Sequence, residues 1–441
     1  MRISHIKLEN WKNFRSVDVD LPERVFLVGP NASGKSNFLD AFRFLRDLAR
    51  AGGGLQKACI DRGGVSKIRC LAARKYPDIV LSVELAEGTD RRWRYEVAFS
   101  QDNNRNPVLT REVVHCQDEL VLQRPDSDDE KDPVRRSQTA LEQINANANF
   151  REVARFFETV LYLHLVPQII RNPNSLTENG GMMDPYGHHF LERVAQTTEK
   201  TRQARLRRIE RALAVAVPQL KELRLEKDVR GAPHLVGVYE HWRPKGAKQS
   251  EEQFSDGTLR LLGLLWALQE GDGPLLLEEP ELSLHSGVVR QLARLLYRMQ
   301  KARKRQVLVS THSTDLLSDT GIGGEEVLML KPDVEGTRVI PSVQVHEIRA
   351  LLQSGMTIAD AVLPHTEPPN ATQLELFVPR MVARSVWRSK VCWMKPCCVG
   401  CSSSLARHLQ SVLAMASGEK ITSAKTPSAS IKPLLTSHLL S

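Results

Sequence analysis

Residues 25–42 read VFLVGPNASGKSNFLDAF: an apolar segment, a glycine-punctuated turn, then apolar residues at helical spacing. Gly29 to Ser36 fits GxxxxGK[ST]. The strand expected before it and the helix expected after it turn a short pattern into a P-loop. Glycines let successive backbone N–H groups converge on phosphate oxygens, and the helix N-terminus adds a favourable dipole. The expected nucleotide cradle is therefore Gly29, Pro30, Asn31, Ala32, Ser33, Gly34, Lys35, Ser36 and Asn37. Lys35 would reach the β- and γ-phosphates, and the Ser36 hydroxyl would ligate Mg²⁺. Periodicity over 37–50 places Phe38, Phe42, Leu45 and Leu48 on one helical face, the face to bury.

A second stretch, LLLEEPELSLH at 275–285, sets three carboxylates directly after an apolar strand. Ionised carboxylates are not left unpaired in an apolar core, and a cation-bearing phosphate site would resolve the conflict. The expectation is that strand 274–277 lies beside the P-loop strand. Glu278 would hold Mg²⁺ through water, and Glu279 would orient and deprotonate the attacking water. Alone, EEPE would also serve as a helix N-terminus whose acids favour the dipole.

Two further pieces point the same way. VLVSTHSTDLL at 307–317 is an apolar strand with His312 just beyond it, at the edge where open α/β sheets keep ligands. A histidine there by itself would equally be structural. EEQFSDGTLRLLGLLWAL at 251–268 opens a helix with Ser255, Asp256, Gly257 and Thr258, where an ordinary N-cap would account for Ser255 or Asp256 singly.

In this order, NWKNF (10–14), GPNASGKS (29–36), FSDGT (254–258), LLLEEPELSLH (275–285) and STHS (310–313) resemble the ATP-binding-cassette ATPases of the RecF, SMC and overcoming-lysogenization-defect class. The resemblance covers about residues 1–345. It implies that FSDGT is the signature motif: Ser255 and Gly257, in one loop with Asp256 and Thr258, would contact the γ-phosphate of ATP held by a second copy. It also implies Glu279 as catalytic glutamate, His312 as switch histidine and Gln168 as the Q-loop glutamine of the metal site. ELSLH at 281–285 would occupy the D-loop position at a dimer interface, and Glu278 stands where many relatives carry Asp. The implied cofactors are ATP and Mg²⁺, the implied activity ATP hydrolysis. The implied assembly is a homodimer or higher homo-oligomer that sandwiches two ATPs.

The fold class that follows is α/β, a P-loop NTPase of ABC-ATPase type. Its mixed sheet would carry an N-terminal antiparallel β patch and a short helical lid. The ATPase head would span 1–377, with a β insertion at 78–123, an acidic loop at 124–148 and a lid at 186–216. DSDDEKD at 126–132 reads as a solvated loop rather than a metal site. About 85 residues separate Gln168 from Phe254 without a sustained heptad seam, which excludes a long coiled coil. That leaves a compact ATPase acting on a nuclease or other effector partner and on nucleic acid, in anti-phage defence or RecF-like repair. An ATP-binding scaffold with little turnover and a transporter-associated cassette are the rivals. No apolar run approaches the roughly 20 residues of a membrane helix. MRISHIKLEN does not read as a signal peptide, so the expected address is cytoplasmic.

The net charge of +9 on 441 residues is concentrated at one end. From Arg380 onward there are nine Lys/Arg and one acid, so the rest carries 52 basic and 51 acidic side chains. The basic pI of about 9.2 is therefore no sign of a basic groove in the body. KVCWMKPCCVGC at 390–401 holds four of seven cysteines, and three readings stand for the tail from 378. One is a structural zinc site built on Cys392, Cys397, Cys398 and Cys401. A second is a disordered Ser/Thr/Lys-rich segment. The third is an out-of-frame translation, because shifting the nearly unique codons of the Cys-Trp-Met stretch by two nucleotides gives a helix-like Leu-Asp-Glu sequence. The same shift brings Glu-Asp-Gly after LELFV (374–378), as at the start of a Toprim-like nuclease domain.

Overall fold

The computed structural model describes residues 1–73, 77–88, 90–172, 186–242 and 246–367. The chain divides into two units, Met1–Pro369 and Asn370–Ser441. Every described residue belongs to the first, and the three readings of the tail lie outside the described residues.

The elements alternate as the sequence pattern predicts. First come β1 (Arg2–Trp11), β2 (Phe14–Asp20) and β3 (Arg24–Val28), then α1 (Lys35–Ala49), α2 (Leu55–Ile60) and α3 (Val65–Ile68). The β insertion is β4 (Ile79–Glu87), β5 (Asp90–Gln101), β6 (Pro107–Cys116) and β7 (Glu119–Arg124). After α4 (Ser127–Lys131), α5 (Arg151–Glu158) and β8 (Leu161–Leu163) come α6 (Pro167–Arg171), α7 (Phe190–Gln196) and α8 (Glu199–Ala216). Strands β9 (Leu220–Lys227), β10 (Pro233–Tyr239) and β11 (Ala247–Ser250) precede α9 (Asp256–Ala267) and β12 (Leu275–Glu278). The last part holds α10 (Ser286–Arg303), β13 (Val307–Thr311), α11 (Thr314–Leu317), β14 (Val327–Asp333), β15 (Gly336–Pro341), α12 (His346–Gln353) and α13 (Ile358–Val362).

Three sheets result. The order β2-β1-β4-β5-β6-β7 is antiparallel throughout, and β11-β10-β9 is a smaller antiparallel sheet beside the lid helices. The third sheet, β15-β14-β3-β13-β12-β8, is parallel except for β15. Parallel strands covered on both faces bury every side chain, and alternate residues point to opposite layers. In β3, Val25 and Leu27 join one core with Phe38, Phe42, Leu45 and Leu48 of α1 and with the large antiparallel sheet. Phe26 and Val28 join the other core with α7, α8, α9 and α10. Leu276 and Leu308 face the first layer, while Leu275, Leu277, Val307 and Val309 face the second. Burying each such side chain is worth roughly 1.5–3 kcal/mol, which is why α1 is pinned between the two large sheets.

Two expectations need correction. The strands flanking β3 are β13 and β14, not β12, and β13 separates the P-loop strand from the acid-bearing strand. Strand order in a parallel sheet is set by long crossovers, which local pattern does not encode. The acidic stretch is also not merely solvated: it forms α4, with Asp126 capping the helix and Asp129 buried. The buried Arg124 guanidinium requires a carboxylate, and Asp129 supplies it at 2.7 Å.

Candidate functional site

The P-loop is shaped by a few positions with no freedom. Gly34 sits at φ 94°, the left-handed region that glycine adopts without cost, and a Cβ there would run into the amide of Asn13. Asn13, from the NWKNF turn between β1 and β2, clamps the loop. Its Nδ2 donates to the Ser33 carbonyl (3.0 Å) and to Thr337 Oγ1 on β15 (2.8 Å), while its Oδ1 accepts from Asn37 Nδ2 (2.8 Å). Only family resemblance singled out NWKNF beforehand, and no local pattern announces this clamp.

Lys35 is buried and folds back, donating from Nζ to the carbonyls of Gly29 (2.8 Å) and Pro30 (3.2 Å). Burial lowers its pKa, opposed by the carboxylates of Glu279, Glu278 and Glu281. The three acids thus surround the one ammonium of the cradle. Ser36 Oγ, in the first turn of α1, donates to Glu278 Oε1 at the end of β12. Glu278 Oε2 accepts from the hydroxyl of Tyr162 on β8. Sequence reasoning missed Tyr162, which lies inside an ordinary apolar strand.

Glu279 follows with φ 43°, a strained conformation for a residue with a side chain, held in part by its N–H bond to the Ser310 carbonyl (3.0 Å). Its Oε1 lies 3.1 Å from Nδ1 of His312. Two residues separated by 33 positions therefore meet because β12 and β13 are parallel neighbours that end at the same level. Glu281 is buried, accepts from Thr311 Oγ1, and is shifted upward chiefly by that burial. A cavity of about 1430 Å³ opens beside Ser36, Asn37, Arg43, Tyr162 and Glu278, above the 300–1,000 Å³ usual for ligand pockets.

The FSDGT loop at 254–258 is locally complete. Ser255 Oγ caps α9, accepting from Thr258 N (3.2 Å), and lies 2.8 Å from Thr258 Oγ1. Gly257 packs on the turn after the acids: a Cβ there would lie 2.5 Å from the carbonyl oxygen of Ser283. Asp256 is bound by Gln168 Nε2 (3.1 Å) and Arg171 Nη2 (2.6 Å), both from α6. The structure therefore brings Gln168 to the signature loop and not to Ser36 and Glu278. After β8 the chain turns at Pro167 into α6, which packs against α9, so the residue that reaches Glu278 from this segment is Tyr162.

These residues fit a nucleotide with a divalent cation. Mg²⁺ takes one or two protein oxygens and completes its shell with phosphates and water; Ser36 and Glu278 offer a hydroxyl and a carboxylate already in contact. Among the described residues no group of three or more His, Cys, Asp or Glu forms a metal site of its own. No helix among them is long and apolar enough to cross a membrane.

The chain matches 36% of positions over 67 residues of "Endonuclease GajA" from Bacillus cereus (strain VD045), a match covering 15% of this chain. It spans only 12% of that relative's length. Among solved structures it is similar to the SMC head domain from Thermotoga maritima, at 16% identity and TM-score 0.42, covering 77% of this chain and 99% of that one. It is similar also to the Smc head domain with an extended coiled coil derived from Pyrococcus furiosus, at 12% identity and TM-score 0.47, covering 80% and 99%. Residues 24–319, from the P-loop strand to just past His312, match the model of the family described as "AAA domain, putative AbiEii toxin, Type IV TA system". That match takes in both acid and phosphate motifs and most of the chain, and the chain belongs to this AAA-domain family.

Proposed function

We propose that the protein binds ATP with Mg²⁺ and hydrolyses it, and that two copies close face to face over two nucleotides to switch a nuclease or other effector in anti-phage defence. The observation that carries the reading is the convergence of Lys35, Ser36, Glu278, Glu279 and His312 from three separate segments on one sheet edge. Lys35 exchanges its two carbonyl partners for phosphate oxygens and lends them positive charge. Glu279, held by His312, orients an attacking water and accepts its proton. Mg²⁺, when bound, neutralises phosphate charge next to Ser36 and Glu278. The signature loop of one copy, with Ser255, Asp256, Gly257 and Thr258, completes the site of the other. Similarity to a protein named as an endonuclease supports a nuclease-linked role.

ATP turnover against protein concentration tests the proposal, for the wild type and for Glu279→Gln. Specific activity that climbs with concentration and drops at least a hundredfold in the variant is expected, the scale typical of a lost acid–base group. Turnover strictly proportional to protein, or unaffected by the substitution, would refute it.

A further inference from the structure

We infer that Tyr162 is a positioning residue that fixes the Glu278 carboxylate for Mg²⁺, an assignment that rests on the ATP-site reading above. The register explains how an edge-strand residue reaches the site. β8 and β12 pair in parallel with Tyr162 opposite Leu276, so Tyr162, Leu276 and Glu278 share one face of the sheet. Diagonal neighbours on such a face are within reach of an aromatic side chain. The Tyr162 hydroxyl spans the step and donates to Glu278 Oε2.

Both carboxylate oxygens are thereby committed, Oε1 to Ser36 and Oε2 to Tyr162. A carboxylate offers about four lone-pair directions, so two remain for a metal-bound water. The ring itself has little freedom. Tyr162 is 4% exposed, and the Arg43 guanidinium of α1 stands 4.4 Å from its centroid. Stacking of a cation on the ring face holds the ring beneath the helix that begins with Lys35 and Ser36. Glu278 ends an extended strand and carries one more methylene than Asp, hence one more rotor to fix. Two hydroxyls on opposite sides fix it.

Tyr162→Phe removes one oxygen and leaves the buried ring in place. The probe is a fluorescent, non-hydrolysable ATP analogue titrated at increasing Mg²⁺. The Mg²⁺ concentration for half-maximal binding should rise about 10-fold or more, the usual cost of losing an outer partner of a metal ligand. Analogue affinity without Mg²⁺ should stay at the wild-type value. Arg43→Met, which keeps the hydroxyl but frees the ring, should move the Mg²⁺ requirement the same way by less. Wild-type Mg²⁺ dependence in both variants would overturn the assignment of Tyr162 while leaving the ATP site standing. A wild type that binds the analogue without regard to Mg²⁺ would instead bring down the ATP-site reading, and this inference with it.

Discussion

Asn13→Ala tests the clamp on the P-loop. The substitution deletes three hydrogen bonds: two donated, to Ser33 O and Thr337 Oγ1, and one accepted from Asn37. A neutral bond of this kind contributes about 1 kcal/mol net, so the total is about 3 kcal/mol. The bonds to Ser33 and Asn37 bear directly on the cradle, so about 2 kcal/mol should appear as weaker nucleotide binding. At 1.4 kcal/mol per tenfold, that is a loss of about 30-fold in affinity. Thr337→Val gives an internal scale, because it removes only the anchor of the clamp. It should cost about 1 kcal/mol of stability and leave nucleotide affinity close to wild type. Equilibrium titration with a fluorescent ATP analogue reads both, and a melting curve reports what is lost to stability. Wild-type affinity in Asn13→Ala, or a larger loss in Thr337→Val than in Asn13→Ala, would refute the reasoning.

Burial pushes the Glu142 carboxyl up to about 7. Its ionisation therefore costs no stability below about 4.5 and a growing amount as pH rises from there to about 7. Glu142→Gln should flatten the fall of melting temperature across that window, and an unchanged slope would refute the assignment. Arg171 holds both Asp256 and the Phe254 carbonyl at the signature loop. Arg171→Ala should lower concentration-dependent ATP turnover roughly tenfold, the factor that 1.36 kcal/mol gives, with analogue affinity intact; a parallel loss of affinity would place Arg171 elsewhere in the mechanism.

The parts of the fold that were legible in the sequence are those with a local signature. Val25–Val28 followed by Gly29–Ser36 and an apolar helical face could be read directly, and all four expected face residues of α1 are fully buried. Glu279 and His312 were legible as members of ordered motifs, and the structure joins them at 3.1 Å. What stayed hidden is non-local. Nothing near residue 275 says that β13 intervenes between β12 and β3, because that order depends on crossovers completed later in the chain. Tyr162 looks like any strand aromatic until the register with Leu276 is known. Gln168 was misdirected for the same reason: its neighbour Asp256 lies 88 residues downstream. Asp129 was hidden by its acidic surroundings, since the Arg124 that buries it is an isolated cation at a strand end.

The position of β3 has a consequence for the order of biosynthesis. Its two flanking strands, β13 and β14, come from residues 307–333, and the Thr337 that anchors Asn13 comes later still. At a translation rate of about 5–20 residues per second, RVFLV waits roughly 15–60 s after leaving the ribosome before its neighbours exist. During that interval α1 can already pack on β1, β2 and β4–β7, whose residues are all made by position 124. The phosphate cradle, although encoded near the start, is closed only when the distal strands arrive, and a nascent chain stopped short of residue 307 has the motif but not the pocket.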